Sequence, residues 1–74
     1  MKRIGTKELI GGQEIYMVLD DKIYTYIGFM CRDFNDGGKL YFRGVKQKFS
    51  GGENINVTIF PNEMADKQIY LIEL

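Results

Sequence analysis

Any chemistry in this chain has to come from very few side chains. The single thiol, Cys31, is followed by Arg32, a cation of the kind that stabilises a thiolate. Neighbours along a strand point to opposite faces, however, and Cys31 shares the phase of the aliphatic residues around it, so the spacing predicts a small buried hydrophobe and not a nucleophile. Glu63 and Asp66 are the other pair able to act as acid and base, yet the same residues suit a solvated helical turn. Histidine is absent, which removes the commonest general base and the usual catalytic triad. The pairs Gly11-Gly12, Gly37-Gly38 and Gly51-Gly52 are not followed by Lys-Ser or Lys-Thr and open no strand-to-helix unit, so they read as hairpin turns and not as phosphate cradles. No enzyme and no cofactor are expected. With one cysteine and no histidine, neither an internal disulfide nor a zinc site has a ligand set.

Tyrosine and arginine remain. All five tyrosines, Tyr16, Tyr24, Tyr26, Tyr41 and Tyr70, fall out of phase with the aliphatic positions beside them, and Met30, Arg32 and Arg43 share the tyrosine phase. The alternation therefore predicts a contiguous surface of Tyr24, Tyr26, Met30, Arg32, Tyr41 and Arg43 on the outer side of a sheet. Tyrosine and arginine are enriched at binding hot spots, because a rigid ring or a planar cation loses little entropy on contact. Tyr26→Ala is expected to weaken binding and leave the fold intact. The bland explanation is that tyrosine forms strands well and packs across them with its hydroxyl in water.

The elements that would position these residues are short stretches of β-branched and aromatic residues separated by Gly, Asp and Asn. Strands are predicted over about Lys2–Ile10, Gln13–Leu19, Lys22–Arg32, Lys39–Lys48, Asn54–Phe60 and Gln68–Leu74, with one helical or 3₁₀ turn after Pro61. A two-residue turn centred on Asp36-Gly37 would set Cys31 opposite Phe42, Arg32 opposite Tyr41 and Met30 opposite Arg43. A three-residue loop, Asp20 to Lys22, would pair Leu19 with Ile23 and Tyr16 with Tyr26. A third turn is expected at Ser50-Gly51-Gly52-Glu53. Val45 and Phe49 fall out of phase with Leu40 and Phe42, which predicts a bulge or sharp bend at Gly44. The expected core comprises Ile15, Met17 and Leu19, then Ile23, Ile27, Phe29 and Cys31, then Leu40, Phe42, Ile55, Val57, Ile59, Ile69 and Leu71. Together these features describe a single all-β domain over 1–74: a small antiparallel barrel or strongly bent meander of five to six strands with an SH3-like layout.

A chain of 74 residues buries a thin core, so in the absence of a disulfide or metal it is expected to be stabilised by self-association. Ten basic residues balance ten acidic ones, so no net field draws the molecule to nucleic acid or to a membrane. No apolar run approaches the length of a membrane span, and Met1-Lys2-Arg3-Ile4-Gly5 does not resemble a signal peptide, which makes the cytoplasm the expected location. The leading expectation is a non-enzymatic binding module that engages a protein partner, assembled as a homo-oligomer. Small cysteine-poor β proteins are frequent among phage- or mobile-element-encoded inhibitors of host proteins, which suggests such an origin. The rival is a binder of single-stranded nucleic acid or nucleotides that stacks bases on Tyr24, Tyr26 and Tyr41 beside Arg32 and Arg43.

Overall fold

The computed structural model describes residues 1–19, 23–48 and 50–73. Six strands form one antiparallel sheet: β1 (Lys2–Ile4), β2 (Glu14–Leu19), β3 (Tyr24–Asp33), β4 (Lys39–Lys48), β5 (Ile55–Ile59) and β6 (Lys67–Leu71). Three 3₁₀ turns, Thr6–Glu8, Phe34–Asp36 and Pro61–Glu63, complete the described structure, which contains no α-helix. The expected strands are present, except that the first is cut to three residues by the turn at Thr6. The turn after Pro61 also lies where proline predicts it.

Across the sheet the strands run β1-β6-β2-β3-β4-β5. Strands β2 to β5 are a meander; the chain then returns and inserts β6 between β1 and β2. Pairing stops at β1 on one side and β5 on the other, so the sheet is open and not a closed barrel. Ile15, Met17, Tyr26, Met30, Phe42, Ile59 and Ile69 form the core on one face, called inner here. A second layer is supplied by connections. Residues 60–66, between β5 and β6, seat Met64 in this core, and the link from β1 to β2 adds Leu9. Side chains hold both links. Glu8 Oε2 accepts from Gly5 N at 2.7 Å and Gln13 Oε1 from Ile10 N at 2.8 Å, while Lys67 Nζ donates to Glu63 O at 2.9 Å.

The β3–β4 hairpin overturns the expected register. Met30, not Cys31, lies opposite Phe42, and Cys31 lies opposite Tyr41. The cause is the turn. Its connection is Phe34 to Gly38, five residues between the paired Asp33 and Lys39, and not a two-residue loop on Asp36-Gly37. Asp33 Oδ1 accepts from Asn35 N at 3.0 Å to start a 3₁₀ turn, Gly37 and Gly38 take positive φ of 64° and 76°, and Gly38 N returns to Asp33 O at 2.9 Å. The β2–β3 register is also one residue from the expected one: Met17 faces Tyr26 and Tyr16 faces Ile27. The connecting Asp20 to Lys22 lies outside the described residues.

A slip of one residue moves every side chain of a strand to the other face. Tyr26 and Met30 are therefore buried, at 6% and 1% exposure, whereas Ile27 and Phe29 are half exposed on the outer face, at 50% and 51%. Cys31 is only partly covered there, so the expectation that it is buried in the core is also corrected. Ile23 and Ile55, two more expected core residues, are exposed. No bulge occurs at Gly44, because the pairings of β4 with β3 and β5 run through it without a break. Val45 simply points outward; Phe49 lies outside the described residues.

Candidate functional site

With the inner face filled, the outer face is the broad surface left for recognition. One row of it crosses all six strands: Arg3 pairs with Tyr70, Tyr70 with Tyr16, Tyr16 with Ile27, Ile27 with Val45, and Val45 with Asn56. The next row sets Glu14, Phe29, Arg43 and Thr58 side by side on β2 to β5. Cys31 and Tyr41 follow on β3 and β4. The Tyr16 and Tyr70 rings lie 6.1 Å apart between centroids, tilted at 49°, and the Arg3 guanidinium stands 5.9 Å from the Tyr70 ring. This is a ring pair with a cation at its end, next to an aliphatic and phenylalanine centre.

The six residues expected to share one surface are divided between the faces. Tyr41 and Arg43 are on the outer face. Tyr24, Tyr26, Met30 and Arg32 have the inner phase, in register with Lys48, Lys46, Phe42 and Leu40. Tyr26 and Met30 are core. Tyr26 is flanked by two ammonium groups, Lys67 Nζ at 5.5 Å and Lys46 Nζ at 5.9 Å from its ring centroid. Arg32 extends to the end of the sheet, where its Nη1 donates to Gly38 O at 2.8 Å. Tyr16 and Tyr70 do lie opposite the aliphatics of their strands, as their phase predicts.

Sequence reasoning missed Ile27 and Phe29 as surface residues. Nothing in their hydropathy marks them, because Tyr24 to Cys31 is apolar in both phases. The available signal was the doubled glycine at Gly37-Gly38, which permits a longer turn as readily as a two-residue one.

A concavity of about 300 Å³ opens at the far end of β4 between Tyr24, Lys46, Lys48, Gly51, Gly52 and Ile55. Lys46 Nζ already sits 4.1 Å from the Tyr24 ring centroid, and Glu53 also lines the space, so its charge is mixed. The hydrogen bond from Lys67 Nζ, at 2.9 Å, holds the Asp66 carboxyl below its ordinary value. That pair braces the last turn and is remote from the outer face. Comparison with protein-family models, with curated proteins and with solved structures finds no match for this chain.

Proposed function

We propose that this protein is a non-enzymatic binding module acting through protein–protein contact, with the outer face of the sheet as its contact surface. The observation that carries the reading is the half exposure of Ile27 and Phe29 on β3, a central strand paired on both sides. Apolar surface left in water forgoes roughly 25 cal/mol per Å², and a contiguous apolar centre with a polar, charged border is the anatomy of a protein interface. Tyr16, Tyr41 and Tyr70 supply rings around this centre, and Arg3 and Arg43 supply planar cations. A module of this kind acts by occupying a surface, as an inhibitor of a host protein encoded by a phage or mobile element does. The SH3-like layout and a cytoplasmic setting belong to the same reading; no helix among the described residues is long and apolar enough to cross a membrane.

The test is capture from the native host by tagged wild-type protein and by Phe29→Ser in parallel. Proteins held by the wild type and lost by the variant support the reading, and identical sets overturn it. A second reading, single-stranded nucleic acid, is favoured by the Tyr16 and Tyr70 rings beside Arg3. Titration with single-stranded oligonucleotides at low salt, followed by tyrosine fluorescence, decides it.

A further inference from the structure

Glu14 and Arg43 flank Phe29 in one row of the outer face, Glu14 on β2 and Arg43 on β4. Two strand spacings of about 4.8 Å separate their backbones, and Phe29 lies between them. Neither makes an ion pair or a side-chain hydrogen bond among the described residues. The row of Phe29 thus carries one acid and one base, placed symmetrically about the β3 line of Ile27, Phe29 and Cys31.

This placement selects an occupant. We propose that the outer face is covered by a second copy of this chain, stacked sheet on sheet about a two-fold axis that runs along β3. The proposal rests on the reading of this face as a protein contact surface and names the partner. Two identical sheets meeting face to face can be related by an axis along the strands or across them. An axis across the strands, through the row of Phe29, sets Glu14 over its own copy and Arg43 over its own copy, which is repulsive at both places. An axis along β3 lays β2 of one copy over β4 of the other. Glu14 then meets Arg43 of the second copy, and Arg43 meets its Glu14. The same operation brings Tyr16 over Val45 and sets Ile27 and Phe29 against their own copies at the centre. Aligned sheets pack in this way, about 10 Å apart with a rotation of about 30°. The interface is isologous, as two-fold dimers require, and Glu14 and Arg43 cancel in pairs across it.

Cys31 is the probe the fold supplies. It lies on the proposed axis, two residues along β3 from Phe29 on the same face, and it is the chain's only cysteine. In the dimer the two Cys31 backbones are about one sheet spacing apart, within reach of a bis-maleimide with a short spacer.

The decisive experiment uses the full chain with Glu14→Arg and Arg43→Glu as separate variants in sedimentation velocity. Wild type is expected to form a dimer that weakens as salt rises. Each single reversal brings like charges together twice and is expected to weaken association at least tenfold. An equimolar mixture of the two variants is expected to restore dimers, now heterodimers, to near wild-type affinity, and Cys31 is expected to cross-link in wild type and in the mixture but not in either variant alone. A wild type that stays monomeric at high concentration, or a mixture no tighter than its components, overturns the proposal. Phe29→Ser separates the two levels. If it abolishes association while the mixture fails, the face is a contact surface and this axis is wrong; if it changes no association at all, both fall.

Discussion

Gly28 stands directly opposite Gly44 across β3 and β4, and neither position has room for a methyl group. A Cβ at Gly44 would lie 2.7 Å from Phe42 Cζ and 2.8 Å from Gly28 Cα, and one at Gly28 would press on the backbone of Arg43 and Gly44. The strands approach closely here, and the Phe42 ring fills the space over the gap. Gly28→Ala and Gly44→Ala are each expected to lower stability by about 1–3 kcal/mol through overpacking, read as a fall in the urea midpoint. Gly12→Ala, at a φ of 91° with nothing within 4 Å, carries only backbone strain and is expected to cost less, about 1 kcal/mol.

Tyr26 is a core residue facing Met17, so the effect of truncating it differs from the sequence expectation. Removing a buried ring costs about 3–5 kcal/mol, comparable to the whole net stability of a domain this small. Tyr26→Ala is expected to be unfolded at 25 °C, by circular dichroism and by loss of amide protection. Tyr26→Phe, which keeps the ring, is expected to stay folded.

Phe29 and Phe42 make the converse comparison, one phenylalanine half exposed and the other fully buried. Thermal unfolding at low protein concentration is expected to show Phe29→Ser within about 1 kcal/mol of wild type. Phe42→Ala is expected to lose about 3–5 kcal/mol. Equal losses at the two positions would place Phe29 in the core and remove the outer face from consideration.

Asp66 sets a pH dependence with a defined sign. Its carboxyl is held below the ordinary carboxylate value, first by the hydrogen bond from Lys67. A group depressed in the folded state stabilises fully above its unfolded value and loses that contribution as pH falls through the folded value. Asp66→Asn is therefore expected to melt slightly below wild type at neutral pH, with the difference unchanged down to about pH 5. The two curves are expected to converge below the carboxylate range. A gap that widens on acidification would contradict the pairing with Lys67.

Asp33 starts the turn that sets the β3–β4 register, through the bond from Asn35 N. Asp33→Ala is expected to cost about 1 kcal/mol, the usual worth of such a cap, with protection from hydrogen exchange lost first across Phe34–Gly38.

Much of the architecture was legible from residue type alone. β4 begins and ends where Lys39 and Lys48 suggest, Ile15 and Met17 are inward, and Tyr16 and Tyr70 are outward, because in those strands one phase is plainly more apolar than the other. The outer face was misread at β3, where Tyr26 and Ile27, or Phe29 and Met30, are equally suited to a core. The candidate site changed with it: Tyr41 and Arg43 kept their place, and Ile27 and Phe29 replaced Tyr26 and Met30.

Residue order and chemistry by themselves determined that this chain makes strands joined by glycine turns, with a thin apolar core and a balanced surface charge. Which half of β3 faces water was decided only when the strand met its neighbours. Side chains alternate with a period of two, so an ambiguous strand takes its orientation from the length of its turn and from what lies across from it. A five-residue turn capped by Asp33, with Met30 seated against Phe42, settled that choice and brought Ile27 and Phe29 to the surface.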